Sequence, residues 1–449
     1  MSKKIITRFA PSPTGLFHSG SYRTALYSYI FARQNNGEFV LRIEDTDKIR
    51  SKKEYEDNII ESLKWLGLDY DHFYRQSERT SIYKKYIQQL IDSGHAFVSK
   101  EESVASDNKE KRQSVIRFRN PNRKVSFEDI IRGKVEFDTT ELGDFVIAKT
   151  LEEPVFHLAV VIDDMDMGIT HVIRGEDHIS NTPRQILIYE ALGQEIPIYA
   201  HIPLLLASDR SKLSKRHGAK SISEYKDRGF LPEAIVNYLS LLGWHPEDDR
   251  EVLSLSEIKE KFTLERVQKG GAIFDEEKLR WFNKQYIAKI PDSSFIEYVN
   301  KFSPDWLLSN RELLNRILPL IKEKITTFED IGALLSGRSE LSFIQSLPEY
   351  SADSLLWKKN PSIDNAKTHL THVLKTIETI DEISFTADHI KSILWAYVEE
   401  KGKGDVLWPM RYAITGLNKS PDPFISAFIL GKFETIKRIK HAISKLENK

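Results

Sequence analysis

The feature that most constrains this chain is its opening stretch, which reads as strand, turn, helix and strand in quick succession. Ile5 to Ala10 is a short run suited to a buried strand, and Pro11-Ser-Pro-Thr-Gly15 follows as a turn. Tyr22, Ala25, Leu26, Tyr29 and Ile30 then recur at helical spacing, with Gly37 as a stop. Phe39 to Ile43 is a second strand, closed by Glu44-Asp45. Parallel strands need a crossover, so this β-α-β unit seeds a doubly wound, Rossmann-like α/β sheet.

The rest of the chain extends that pattern and then abandons it. Two amphipathic helices are predicted near 52–66 and 78–93, closed by Gly67 and Gly94. From about residue 96 a polar stretch, Lys100 to Gln113, leads to strand-like runs at Val115–Phe118 and Lys134–Phe137, read as an inserted subdomain. Strands are predicted at Phe156–Ile162, Ile169–Ile173 and Ile202–Leu206, with a helix opening at Thr182-Pro183 and stopping at Gly193. Beyond Ser221 nearly every segment has helical period, including Pro232–Leu242 and a helix capped by Asp275. The expected division is a catalytic domain in two halves, 1–95 and 156–209, an insertion at 96–155, a helical stem-contact part at 210–299 and an all-helical region at 300–449.

Length supports several domains: 449 residues at roughly 150 per domain suggests about three. Sixty-five Lys and Arg against 66 Asp and Glu leave a net charge of −1, so any nucleic-acid partner must be held by local patches. Cysteine is absent, which excludes disulfides, a thiol nucleophile and thiolate zinc sites. With no run of 18 apolar residues and Arg8 interrupting any N-terminal signal core, the chain is expected to be cytoplasmic.

Two motifs carry chemistry. A turn before a helix N-terminus offers free N–H groups and a positive dipole end to phosphate, with His18 at the junction and Gly20 allowing close approach. Ser211-Lys-Leu-Ser-Lys-Arg-His-Gly218 is a cationic loop able to wrap a polyphosphate; a solvated basic loop is its alternative.

Taken together, Arg8-Phe-Ala-Pro-Ser-Pro-Thr-Gly-Leu-Phe-His-Ser-Gly-Ser21 resembles the HIGH-type motif of class I aminoacyl-tRNA synthetases in its glutamyl form. Lys212-Leu-Ser-Lys-Arg216 resembles the second family motif, KMSKS. The likeness runs on through Ile43–Asp47, Gln76–Arg79, His171–His178, Asn181–Gln185, Phe274–Trp281 and Pro409–Gly416. It implies activation of L-glutamate by ATP with Mg2+, and transfer to the terminal adenosine of tRNA(Glu), with tRNA(Gln) left open as a second acceptor, by a monomer. It also implies an acceptor-binding role for the insertion and anticodon binding for the helical rear. Catalytic roles fall on His18, Lys212 and Lys215. Glutamate binding falls on Arg8, Phe9, Ala10, Ser12, Glu44, Phe156 and Arg174, and ATP binding on His18, Gly20, Asp177, Lys212, Leu213, Ser214, Lys215 and Arg216. Residue chemistry agrees: a side-chain carboxylate needs a cation such as Arg8, and an α-ammonium needs a carboxylate such as Glu44. The alternative for these two is a mutual pair at the strand ends.

Three departures stand out. The final histidine of the HIGH-type motif is Ser21, and Ala96-Phe-Val-Ser99 lacks the zinc-binding cysteines of many relatives, so no zinc is expected. Phe156 replaces a tyrosine that touches glutamate, and another group is expected to make up the lost hydrogen bond. Asp163-Asp-Met-Asp166 reads as an acidic turn rather than a metal cluster. The glutaminyl enzyme fits less well, since Ser12-Pro13-Thr14 stands where it carries Glu-Pro-Asn and the rear lacks β-barrel patterning. A glutamyl-queuosine enzyme would lack the rear half, and a non-catalytic tRNA-binding paralogue would not need His18, Lys212 and Lys215. In the rear, Arg411, Trp408, Tyr412 and the basic stretch Lys432–Lys449 are candidate tRNA contacts.

Overall fold

Strand β1 (Ile6–Phe9) leads through a turn into helix α1 (Ser19–Gln34) and strand β2 (Glu38–Ile43), so the opening unit forms where its spacing predicts. Glycine is required at the α1–β2 joint, because a Cβ on Gly37 would collide with the Ile5 carbonyl oxygen. The computed structural model describes residues 4–17, 19–101, 113–213, 220–337 and 339–449. They form two compact units, Met1–Tyr286 and Ile287–Lys449.

In the first unit the chain continues through α2 (Lys53–Trp65), β3 (His72–Arg75), α3 (Thr80–Asp92), β4 (Ala96–Glu101), β5 (Gln113–Phe118), β6 (Lys124–Asp129), β7 (Gly133–Asp138), β8 (Phe145–Thr150) and β9 (Glu153–Pro154). Then come α4 (Phe156–Asp166), β10 (His171–Gly175), α5 (Thr182–Ala191), β11 (Ile198–Ile202) and β12 (Leu205–Leu206). The main sheet has seven strands in the order β3-β2-β1-β10-β11-β6-β7. Its first six are parallel to their neighbours, and β7 closes the edge as an antiparallel hairpin with β6. From β1 the chain winds outward to β2 and β3, then returns to place β10 on the other side of β1. That reversal is the switch point where doubly wound sheets open a crevice at the strand C-termini. The region read as an insertion splits its strands: β4, β5, β8 and β9 make a separate antiparallel sheet, while the β6–β7 hairpin extends the main one.

Two elements differ from expectation. Phe156–Ile162 is the front of helix α4, not a strand. From Leu158 to Ile162 the run is apolar and buried at every position, so it has no period to read and strand and helix look alike. The helix ends in a glycine stop: Gly168, at φ 66°, follows the Met167 cap, and the Ile169 N–H bonds back to the Asp164 carbonyl. Asp163 to Asp166 are therefore the last helical turn rather than a turn after a strand. The strand expected at Ile202–Leu206 is divided between the end of β11 and β12, with Pro203, which has no N–H to give a ladder, between them.

The first unit ends with α6 (Ile222–Asp227), α7 (Pro232–Ser240), α8 (Leu255–Lys261) and β13 (Ala272–Ile273), which pairs with β12. Helix α9 (Glu276–Lys289) begins where Asp275 accepts the N–H groups of Glu277 and Lys278 at 2.9 and 3.3 Å, as its cap position predicts.

The second unit is helical among its described residues: α10 (Asp292–Phe302), α11 (Asp305–Leu308), α12 (Arg311–Lys324), α13 (Asp330–Leu334), α14 (Ile363–Thr379), α15 (Ala387–Lys401), α16 (Lys403–Thr415), α17 (Pro423–Leu430) and α18 (Lys432–Glu447). Leu370, Val373 and Ile377 of α14 pack with Leu394 of α15, Met410 of α16 and Ile439 and Leu446 of α18 in one core. An α/β front and a helical rear are thus the observed architecture. Among the described residues, no helix is long and apolar enough to cross a membrane.

Candidate active site

A cavity of about 630 Å³ opens at the C-terminal ends of β1, β2 and β10. Arg8 and Phe9 enter it from β1, Ala10 and Ser12 from the turn beyond, and Glu44 from the residue after β2. Arg174 comes from β10, Asp177 and His178 from the turn that follows, Phe156 and Val160 from α4, and Gly20 from α1. Lys212 and Leu213 close one side. The residues singled out for glutamate, and Gly20, Asp177, Lys212 and Leu213 among those for ATP, therefore face one space. His18, Ser214, Lys215 and Arg216 lie outside the described residues.

The floor of the cavity is a buried ionic network. Arg8 and Glu44 have different partners: Arg8 Nε lies 3.3 Å and 3.4 Å from the two Asp164 oxygens, whereas Glu44 accepts from Arg42 Nη2 at 3.1 Å. Arg42 also donates to Asp164 Oδ1 at 2.6 Å, a closer contact than Arg8 makes. Asp164 is thus shared between Arg8 and Arg42, which together hold its carboxylate ionised against burial. Arg8 keeps a positive charge for the cavity, oriented by Asp164 and by the Ile173 carbonyl at 3.3 Å. Burial works against the charge on Arg42, but Asp164, Asp163 and Glu44 together hold its guanidinium firmly protonated. Burial also pushes the Glu44 carboxyl up, while Arg42 and Arg8 pull it back.

Asp163, beside Asp164, faces the other way and accepts from Gln76 Nε2 (2.7 Å), Arg79 Nε (2.7 Å) and the Tyr83 hydroxyl (2.9 Å). Sequence reasoning quoted Gln76 and Arg79 only as part of the family likeness and gave neither Tyr83 nor Arg42 a role.

Arg174 is buried over the Tyr199 ring at 5.3 Å, and donates from Nη2 to Thr182 Oγ1 at 2.7 Å and from Nε to His201 Nε2 at 3.1 Å. Desolvation lowers its pKa to about 10, which still leaves it charged at neutral pH. Phe156, 36% exposed, has its ring 5.6 Å from those of His157 and His178. Both imidazoles are neutral: burial, with Arg184 and Arg174 beside His157 and Arg174 beside His178, lowers each to about 4. At the rim, Lys212 Nζ pairs with Asp177 Oδ2 at 3.0 Å. The start of the cationic loop is tied down where the Leu213 N–H bonds to the Leu205 carbonyl.

Residues 4–103 and 98–281 match the model of the class I tRNA synthetase (E and Q) catalytic domain, and residues 294–443 match that of an anticodon binding domain. The chain belongs to the class I tRNA synthetases. This synthetase is 42% identical to the glutamate–tRNA ligase of Aquifex aeolicus, with 99% of each chain covered. It is 42% identical to that of a Sulfurihydrogenibium species, with 91% of this chain and 93% of the relative covered. Its backbone is similar to the crystal structure of a glutamate tRNA ligase from Elizabethkingia meningosepticum in complex with its amino acid. The TM-score is 0.85 at 32% identity, covering 99% of this chain and 100% of that one.

In the second unit of the synthetase, the proposed tRNA contacts are engaged internally. The Trp408 indole donates to the Ser354 carbonyl at 3.1 Å, and Arg411 donates to that of Ser420 at 3.2 Å. Along α18, Lys432 caps the Ile380 carbonyl (2.6 Å), Lys440 pairs with Glu378 (2.8 Å), and Arg438 is buried against Glu434.

Proposed function

We propose that this chain charges tRNA with L-glutamate: a carboxylate oxygen of glutamate attacks the α-phosphorus of ATP, pyrophosphate leaves, and a hydroxyl of the terminal adenosine of tRNA then displaces AMP from the glutamyl-adenylate. The observation that carries the reading is the convergence of Arg8, Arg174 and Glu44 on one cavity at the switch point of the sheet. In this reading two guanidiniums face the substrate's side-chain carboxylate and one carboxylate faces its α-ammonium. Glutamine, neutral at the same position, would leave buried Arg174, whose hydrogen-bond partners are the neutral Thr182 and His201, without a facing carboxylate, which disfavours it.

Phe9, Ala10 and Ser12 line the amino-acid end of the pocket, and Gly20, Asp177 and Leu213 the nucleotide end. Lys212 exchanges Asp177 for a phosphate oxygen when ATP enters. His18, Lys215, Ser214 and Arg216 act on the α-phosphate and pyrophosphate, where interactions that strengthen with developing charge raise kcat. Magnesium enters on the nucleotide's own phosphates. Among the described residues no three His, Cys, Asp or Glu side chains converge to hold an ion. The insertion at 96–155 takes the acceptor end and the helical rear takes the anticodon, in a cytoplasmic monomer without structural zinc.

Arg8→Ala tests this directly. Losing a charge-assisted hydrogen bond of about 1.5–3 kcal/mol should lower kcat/KM for glutamate roughly 10- to 200-fold, with the ATP KM little changed. Asp164 keeps Arg42 but loses its buried pair with Arg8, so charging is measured well below the variant's melting temperature. The assay is charging of purified tRNA(Glu) and tRNA(Gln) in parallel, which also shows whether the second is an acceptor. Glutamine used as readily as glutamate by the unmutated protein would refute the charge-selection argument.

A further inference from the structure

Behind the inferred pocket, Arg174 is backed by two buried residues that line no part of the cavity. Asp129 ends β6, His201 lies in β11 and Arg174 in β10, and all three side chains are buried. Asp129 sits in register with Tyr199 of the neighbouring parallel strand, so its carboxylate reaches His201. Oδ2 accepts the His201 backbone N–H at 3.0 Å and the ring Nδ1–H at 2.6 Å. Oδ1 accepts the N–H groups of Ile131 and Arg132, at 3.0 and 2.8 Å, in the turn to β7. Across the ring, Nε2 receives Arg174 Nε at 3.1 Å.

Thr182 Oγ1 also lies 3.2 Å from Nε2 and can give or take a hydrogen bond there, so the two charged neighbours decide which form of the imidazole fits. Arginine has only donors and an ionised carboxylate has only acceptors. The contact to Arg174 is a hydrogen bond when Nε2 carries a lone pair, and the contact to Asp129 is one when Nδ1 carries the proton. The other tautomer sets N–H against guanidinium and a bare nitrogen against carboxylate, and the doubly protonated ring repeats the first clash. The charged and titratable groups facing the ring are Asp129 and Arg132 from the β6 turn, Arg174 from β10, His178 ahead of α5, and Tyr199 on its own strand. Burial, then Arg174 and Arg132, oppose a charged ring; Asp129 favours one, and the balance falls below the ordinary histidine range.

We propose that Asp129 and His201 are positioning residues for Arg174: they hold its guanidinium at a fixed rotation toward the cavity, through a neutral His201 protonated at Nδ1. The proposal rests on the reading of Arg174 as a glutamate ligand. It assigns the β6–β7 hairpin, which lies within the region read as an insertion, a part in amino-acid binding that no residue of the cavity wall reveals.

The test compares Asp129→Asn, His201→Asn, His201→Gln and Arg174→Ala in steady-state tRNA charging, with KM measured separately for glutamate and ATP. In Asp129→Asn the turn N–H groups keep the amide oxygen, so the amide nitrogen faces the ring, the tautomer flips and N–H meets Arg174. In His201→Asn the acceptor at Nε2 is lost, whereas in His201→Gln the amide oxygen restores it. Expected are rises of about tenfold in glutamate KM for Asp129→Asn and His201→Asn, with ATP KM unmoved and His201→Gln within about threefold of the parent. Arg174→Ala should be at least as impaired as either. If Arg174→Ala leaves glutamate KM unchanged, the reading of Arg174 itself fails. If it raises KM while Asp129→Asn and His201→Asn do not, the positioning proposal alone is overturned. Equal losses in His201→Asn and His201→Gln, or parallel rises in glutamate and ATP KM, also overturn it, since they mark general damage. Should Asp129→Asn not fold, 15N resonances of histidine-labelled parent protein decide, with His201 assigned by its loss in His201→Gln. A ring at pH 7 protonated at Nε2, or at both nitrogens, overturns the proposal.

Discussion

At the scale of single residues, the cavity offers a substitute for the tyrosine that the family resemblance implies where Phe156 stands. Asn181 Nδ2 lies 3.2 Å from His178 Nδ1. When it donates there, a neutral imidazole keeps its proton on Nε2, as a donor. His178 lines the cavity next to Phe156, so it can supply the hydrogen bond that the missing hydroxyl would have made. Phe156→Tyr in the parent protein should therefore change the glutamate KM by less than about threefold. In a His178→Ala background the same substitution should lower it about tenfold, a neutral-to-charged hydrogen bond being worth about 1.5 kcal/mol or more. A tenfold drop in the parent would mean that His178 does not compensate. Of the site residues, those with visible chemistry at strand ends, Arg8, Glu44 and Arg174, were legible in the sequence. Arg42, Asp129, Asp164 and His201 were not, because their roles come from neighbours 27 to 156 positions away in the chain, which only the fold brings together.

Among the elements, α4 is the one whose sequence was read as a strand and an acidic turn. Its last turn carries Asp163, Asp164 and Asp166, which the negative end of a helix dipole disfavours. Arg8, Arg42 and Arg79 reverse that penalty, and Arg79 bonds to both Asp163 (2.7 Å) and Asp166 (2.6 Å). The acidic cluster is thus the clasp between α4, β2 and the start of α3, rather than a turn after a strand. Asp163→Ala removes one partner of a buried pair and leaves Arg79, Gln76 and Tyr83 with unmet donors. A loss of about 3–5 kcal/mol is expected, read as a large fall in melting temperature. Charging measured well below that temperature should keep its glutamate KM within a few-fold, because Asp164 still holds Arg8. A collapse of glutamate affinity with unchanged melting would reverse the assignment of the two aspartates. Gly168 was a legible stop for this helix, but the apolar run before it has no alternation to distinguish strand from helix.

For the whole molecule, the buried histidines set a common dependence on pH. His157 and His178 titrate at about 4 in the folded chain against 6.5 for an unhindered imidazole. Burial lowers His171 and His201 in the first unit and His369 in the second as well. The sign follows from proton counting: below pH 6.5 the unfolded chain takes up protons that the folded chain refuses, so unfolding becomes more favourable as pH falls. Each such group contributes a slope of about 1.4 kcal/mol per pH unit between its unfolded and folded values, and nothing further below the folded one. The paired aspartates act lower. Asp129, Asp164 and Asp177 are held below 3.8, so their stabilisation is intact above about pH 4 and is lost only in stronger acid. The window from pH 6.5 to 5 therefore lies above these aspartates; Glu44, pushed up by burial, works there in the opposite direction, one group against five histidines. Melting temperature should fall steadily across it, and His157→Gln with His178→Gln should flatten the fall without changing its direction, since His171, His201 and His369 remain. A melting temperature that held level or rose between pH 6.5 and 5 would mean that these rings are charged in the folded chain. The neutral donor assigned to His178 at the cavity wall would then be wrong too.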